Sequence, residues 1–458
     1  MMNVEQLHKA QQDFFKTRKT QDLKYRVESL QRLKKVIESR EQQVYKALAD
    51  DLGKSEFEAF LTEYNVIIDE LKKYIYRTSK WSQPKRVRAS VLNFPSKARR
   101  YPEPYGNTLI ISPWNYPFQL ALAPLIGAVA AGNTVVLKPS EFSNATSKLL
   151  QEIIEEAFDE AHVSVALGDS KVAQELTTLP WNYIFFTGSP AVGKLIYQAA
   201  AKHLTPVTLE LGGKNPCVVH ESANIRVTAK RIVWSKFLNA GQTCIAPDYL
   251  LVHKSIKDQL VTEIKKQIHV FFGTNVKESA DFPRIIRENH FDELIGMLEG
   301  EILIEGGDHD RDALYIAPTL VDEPSRDTKI MGNEIFGPLL PVITYSTKED
   351  LEQWIDSFEK PLGAYCFTGD SKFEMWFIKR FAFGGGVIND SIVQFLNDRL
   401  PFGGVGNSGI GSYHGKKTFE VFSHYKSVVH RGTWIDLPVK YAPYTHKLSR
   451  VKKLMSWL

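Results

Sequence analysis

Tyr183-Ile184-Phe185-Phe186-Thr187-Gly188-Ser189-Pro190-Ala191-Val192-Gly193 holds the architecture of this chain in miniature. Its aromatic and β-branched opening suits a strand, Gly188 a turn, Ser189 a helix cap and Pro190 the first helical position. A helix over 191–203 should follow. The same alternation continues on both sides: 108–111, 134–137 and 207–211 read as strands, 120–131 and 143–158 as helices. Strands and helices in alternation predict an α/β fold, a parallel sheet covered by helices on both faces.

A second alternating region runs from 215 to about 389, with strands expected at 249–252, 339–345 and 364–367. It reads as a second α/β domain. Upstream, residues 4–79 repeat apolar positions at helical spacing, among them Leu23, Val27, Leu30, Leu33, Val36 and Ile37. Pro84, Pro95, Pro102 and Pro104 then break up 81–105, including Val91-Leu92-Asn93-Phe94, and favour an extended excursion. Residues 401–411 are glycine-rich and poorly suited to regular structure, and 425–431 reads as a last strand. At 458 residues, two large domains are expected.

Composition excludes several classes. The 57 Lys and Arg nearly balance 53 Asp and Glu, too even a charge to argue for nucleic acid. Three cysteines, Cys217, Cys244 and Cys366, imply no disulfide framework and show no metal-ligand spacing. Neither a signal peptide nor a run of roughly 18 apolar residues is present, so a cytoplasmic enzyme or binding protein is expected.

Six clusters carry candidate chemistry. Cys244 closes Asn239-Ala240-Gly241-Gln242-Thr243-Cys244, where Gly241 permits close approach of a ligand and the polar neighbours argue against a plain core cysteine. Cys217 and Cys366 sit in apolar runs and read as core. Glu210, in Leu209-Glu210-Leu211-Gly212-Gly213-Lys214, is either a water-facing edge residue or a buried carboxylate with the raised pKa of a general base. Asn115, in Ser112-Pro113-Trp114-Asn115-Tyr116-Pro117, either bonds its own turn or offers an amide N–H to an oxyanion. The helix start at Gly188, Ser189 and Gly193 attracts a pyrophosphate or a dinucleotide, although its glycine spacing is neither the usual dinucleotide fingerprint nor a P-loop. Lys138 and Glu141, in Lys138-Pro139-Ser140-Glu141, are surface charges or partners of a ribose. In Glu334-Ile335-Phe336-Gly337-Pro338, Glu334 can take a second ribose and Phe336 can pack near a nicotinamide.

With these motifs in order, and with Pro401-Phe402-Gly403-Gly404-Val405-Gly406-Asn407-Ser408-Gly409 after them, the sequence resembles the aldehyde dehydrogenase superfamily over essentially its whole length. Gly385-Gly386-Val387-Ile388-Asn389-Asp390 and Gly411-Ser412-Tyr413-His414-Gly415 look like its class 3 branch of fatty and aromatic aldehyde enzymes. The resemblance implies a Rossmann-type cofactor domain (1–82 and 104–208), an α/β catalytic domain (209–389) and a small β oligomerisation element (83–103 and 415–435). It also implies a glycine-rich active-site segment (390–414) and a tail (436–458).

By resemblance, Cys244 is the nucleophile, Glu210 the base and Asn115 the oxyanion donor. Trp114, Lys138, Glu141, Gly188, Ser189, Gly193, Glu334 and Phe336 then bind NAD or NADP. The expected reaction oxidises medium- or long-chain aliphatic or aromatic aldehydes to acids through a cysteine thiohemiacetal and a hydrolysed thioester. Glu210 favours hydrolysis over transfer of the acyl group to a thiol. A non-catalytic protein on this fold need not keep all three residues. A homodimer is implied. In the tail, Leu448, Val451, Leu454, Met455 and Leu458 share a helical face beside Lys447, Arg450, Lys452 and Lys453. Such a helix lies on an anionic membrane or packs on protein.

Overall fold

The computed structural model describes residues 3–90, 93–436 and 438–456; Val91 and Leu92 of the excursion and Leu458 of the tail lie outside the described residues. Chain contacts divide it into two compact units, residues 1–81 with 104–424, and residues 82–103 with 425–458.

In the large unit, a six-stranded sheet runs in the order Gly409–Ile410, Val207–Glu210, Tyr183–Thr187, Asn107–Ile111, Thr134–Lys138, Val163–Val165. The last five are parallel, and Gly409–Ile410 pairs antiparallel with Val207–Glu210. Chain order reverses between Asn107–Ile111 and Tyr183–Thr187, so the segments leaving these two strands flank the crevice where ligands bind in such sheets. One face of the sheet is covered by the helix Gln119–Ala131, buried at every position, as an apolar-all-round helix must be. The helices Leu23–Ser39 and Asn65–Trp81 pack beside it.

A second sheet of seven strands has the order Leu303–Glu305, Thr319–Asp322, Leu339–Tyr345, Tyr249–His253, Pro216–Val219, Gly363–Phe367, Gly385–Ile388. Its strands are parallel apart from Leu303–Glu305. Cys217 and Cys366 are fully buried within it.

The small unit holds all but the end residues Pro104, Ser423 and His424 of a three-stranded sheet, Lys85–Val87, Ser96–Pro104 and Ser423–Arg431, and the helix Leu448–Met455. Residues 415–424, expected with this element, group with the large unit instead. The reason is local packing: Lys416–Val421 lies on the helix Gln119–Ala131, and a Cβ at Gly127 would meet Thr418 Cγ2 at 2.5 Å. The glycine-rich segment is also more regular than expected, since Gly409 and Ile410 complete the first sheet. Among the described residues no helix is long and apolar enough to cross a membrane.

Candidate active site

A cavity of about 390 Å³ in the large unit is lined by Trp114, Asn115, Gly188, Ser189, Glu210, Cys244, Glu334 and Phe336. Three strand ends supply part of this wall: the strand Asn107–Ile111 leads into Asn115, Tyr183–Thr187 into Gly188, and Val207–Glu210 ends on Glu210 itself. Lys138, Glu141 and Gly193 do not line it. Lys138 ends the neighbouring strand Thr134–Lys138 and is buried, its Nζ donating to the Pro139 carbonyl at 2.8 Å and to Glu141 at 3.4 Å. It is therefore no plain surface charge, whereas Glu141 is exposed.

Cys244 follows three consecutive residues with positive φ, Asn239, Ala240 and Gly241. At Gly241 a Cβ would run into the Gly337 carbonyl, so glycine is required twice over. The loop is then tied from every side. Gln242 Nε2 donates to the Asn239 and Arg284 carbonyls, both at 3.0 Å, and Thr243 Oγ1 lies 2.7 Å from the Tyr116 hydroxyl. Asn215 Nδ2 donates to the Cys244 carbonyl at 2.8 Å. Burial pushes the Cys244 thiol up, and the Glu334 and Glu210 carboxylates add to this; the backbone N–H groups of Cys244 and Ile245 oppose it.

Glu210 is 3% exposed, and neither carboxylate oxygen has a hydrogen-bond partner in the structure. Burial raises its pKa well above the usual carboxylate range. The alternative of a water-facing edge residue is thereby removed. The Asn115 side chain donates one N–H to the Gln242 carbonyl at 3.1 Å. An amide carries two such hydrogens, and among the described residues the second has no partner. Asn115 thus bonds the cysteine loop rather than its own turn.

On the other side of the cavity, Ser189 Oγ caps the helix Pro190–Ala201 by accepting from the Val192 N–H at 3.4 Å. Trp114 meets the Phe336 ring edge-on at 5.3 Å between centroids, and the Phe336 carbonyl lies 2.9 Å from His290 Nε2. Glu334 Oε1 is buried without a partner. Burial and Asp248 push Glu334 up to about 8, against the Gly213 N–H and the lysines Lys214 and Lys236. A Cβ at Gly212 would collide with this carboxylate. Lys214 anchors the segment, donating to Asp248 at 2.6 Å and to the Ile330 and Asn333 carbonyls at 2.9 and 2.8 Å.

Much of the remaining wall is apolar, with Leu61, Leu120, Trp234, Ile392, Phe395, Leu396 and Phe402. Among these, only Phe402 stands in one of the motifs quoted from the sequence. Sequence reasoning also missed Asn215 and Asn239, whose amides bind loops far away in the chain.

The sequence pattern of the aldehyde dehydrogenase family matches residues 2–428. The 4,4'-diaponeurosporen-aldehyde dehydrogenase of Staphylococcus aureus is 43% identical over 98% of this chain and 98% of that protein. Aldehyde dehydrogenase family 3 member A2 of Pongo abelii is 41% identical over 90% of this chain and 84% of its own. Among solved structures, the substrate-bound state of Staphylococcus aureus AldH matches with a TM-score of 0.97 at 43% identity, covering 99% of this chain and 100% of the other. Both NAD-dependent and NADP-preferring enzymes occur among the similar proteins.

Proposed function

The chain belongs to the aldehyde dehydrogenase family, in its class 3-like branch, and oxidises aldehydes to carboxylic acids with NAD or NADP; from that premise we propose that Cys244 is the nucleophile, Glu210 the base and Asn115 the oxyanion donor. One observation carries this assignment: all three side chains line a single cavity, with both oxygens of Glu210 free of partners. The Cys244 thiol gives up its proton to water, and the thiolate sulfur, a strong nucleophile, adds to the aldehyde carbon. The oxyanion of the resulting thiohemiacetal takes the second N–H of the Asn115 amide and the Cys244 backbone N–H. What a bound dinucleotide supplies here is a hydride acceptor, which is why the adduct ends as a thioester. Glu210 then takes a proton from the water that attacks the thioester carbonyl; the C–S bond breaks, the Cys244 thiolate is released and the acid leaves.

The cavity fits a dinucleotide at its second wall. Glu334 Oε1 and Thr187 Oγ1 are buried without partners there, beside the helix start at Gly188 and Ser189. Trp114 and Phe336 complete the pocket for a flat ring, and Lys138 with Glu141 sits at the adjacent strand end for a ribose; Gly193 lets the capped helix lie against Leu211. The apolar wall from Leu61 to Phe402 favours medium- or long-chain aliphatic and aromatic aldehydes.

Residues 1–82 with 104–208 form the cofactor domain and 209–389 the catalytic domain in this assignment, with 390–414 returning to the first. The sheet of the small unit is the element for a homodimer, which light scattering of the purified protein tests. Cytoplasmic residence with lipid contact through the tail belongs to the same proposal. Leu448 and Met455 are exposed, and the small unit carries thirteen Lys and Arg against Glu103 and Asp436. Basic, partly apolar surfaces of this kind bind anionic lipid. Sedimentation with anionic vesicles, with and without residues 447–458, tests it; equal binding removes the tail from the proposal.

Rapid mixing of Cys244→Ala with a radiolabelled aldehyde and cofactor tests the nucleophile. Neither reduced cofactor nor protein-bound label should form. A burst at the parent rate overturns the assignment.

A further inference from the structure

Behind the cavity wall lies an ion pair that none of these roles uses. Lys54 and Glu63 are joined at 2.5 Å, with both side chains 0% exposed. The Lys54 ammonium also donates to the Asn115 main-chain carbonyl at 3.1 Å and lies 4.1 Å over the Tyr116 ring. The other Glu63 oxygen accepts the Phe118 and Gln119 N–H groups at 2.9 and 3.2 Å. One pair thus grips the turn that carries Asn115 at its middle and at its end.

The grip extends to the cysteine loop. Asn239 Nδ2 donates to the same Asn115 carbonyl at 2.8 Å and to the Gln242 carbonyl at 3.1 Å. The Asn239 main-chain N–H, on a residue with φ +51°, donates in turn to Glu58 Oε1 at 2.9 Å. Burying an ion pair is often no better for stability than filling the space with apolar side chains. A pair whose bonds all end on the backbone of one turn suits a demand for geometry instead.

We propose that Lys54 is a positioning residue for oxidation: with Glu63 as counter-charge, it fixes the Asn115 peptide so that the remaining side-chain N–H of Asn115 meets the oxyanion. It touches no substrate and acts through Asn115, so the proposal rests on Asn115 being the donor. The side chain of an asparagine is short, and its aim is set by the backbone that bears it. Losing the bond to the Asn115 carbonyl should therefore act like losing the donor.

Lys54→Met alone leaves a buried carboxylate unpaired and can simply unfold the protein. The test compares two neutral double variants, Lys54→Met/Glu63→Gln, which removes the donor at position 54 and leaves that of Asn239 on the Asn115 carbonyl, and Lys54→Gln/Glu63→Gln, which keeps an uncharged donor at position 54. Thermal melting establishes that each is folded, and rapid mixing with a saturating aliphatic aldehyde reads the burst of reduced cofactor. The Met variant should lose roughly 10²-fold in burst rate, the scale of one oxyanion donor, with KM for the cofactor unchanged. The Gln variant should stay within about fivefold of the parent.

Adding Asn115→Ala to the Met variant should cost less than about threefold more, because both changes remove one donor. Equal burst rates in the two double variants, fast or slow, or a fully multiplicative loss with Asn115→Ala, overturn the proposal. Asn115→Ala alone at the parent rate instead removes the reading of Asn115 as donor, and Lys54's role falls with it.

Discussion

Exchanging Glu210 for Gln should separate the two halves of turnover. Neither carboxylate oxygen has a partner among the described residues, so the exchange breaks no hydrogen bond of the side chain and keeps its shape. Burial has raised this carboxyl well above its ordinary 4.5. A carboxyl whose pKa is higher folded than unfolded binds its proton more tightly in the folded chain. Its stabilising effect is thus complete below the unfolded value and is lost as pH rises through the folded one. The Gln variant should therefore match the parent in urea at pH 8, or exceed it, and lose any such advantage at pH 4.

What disappears is base catalysis, about 10²–10⁴-fold, or roughly 2.7–5.5 kcal/mol of barrier. In the mechanism proposed above, addition and oxidation do not use this base. Rapid mixing should show one reduced cofactor per site at the parent rate, then turnover slower by that factor. Hydroxylamine, which attacks a thioester carbonyl and expels the Cys244 thiolate, should restore turnover and yield a hydroxamate. Steady-state turnover within about threefold of the parent refutes the role of Glu210, as does a burst that vanishes together with turnover.

Three further outcomes follow from the same structure. Because burial and two carboxylates raise the Cys244 thiol, its alkylation by iodoacetamide without cofactor should still be climbing at pH 9; Glu334→Gln should move that curve to lower pH, and an unmoved curve denies the Glu334 contribution. Gly241→Ala meets both φ +76° and the Gly337 carbonyl, so it should cost about 1–3 kcal/mol in urea unfolding and slow the burst; wild-type values for both would mean that the loop shifts freely. Glu70 is 7% exposed with an oxygen lacking a partner, and burial pushes it up to about 8. Glu70→Gln should thus gain up to about 4 kcal/mol at pH 8 and almost nothing at pH 4, as denaturant midpoints at the two pH values will show.

How much of this was legible in the sequence depends on where each residue finds its partners. The stretch 183–193 contains its own strand, turn, cap and helix start, and the structure has Tyr183–Thr187 and Pro190–Ala201 there. Cys244, Glu210 and Asn115 stand beside glycines, prolines or polar turns that mark a special backbone locally, and all three reach one cavity. The strands Pro216–Val219, Thr319–Asp322 and Gly385–Ile388 escaped notice. All are short; Pro216–Val219 and Thr319–Asp322 are buried and show no alternation to recognise, while Gly385–Ile388 is an edge strand that opens on two glycines. Lys54 and Glu63 are harder still. Nine residues apart in a helical region, they look like two solvated charges, and their other partners are peptide groups 55 to 61 positions further along the chain. A bond from a side chain to a distant backbone group leaves no complementary residue type in the sequence. What a single sequence hides most completely is therefore the support that aims the reactive groups, and only the folded chain brings that support within reach of them.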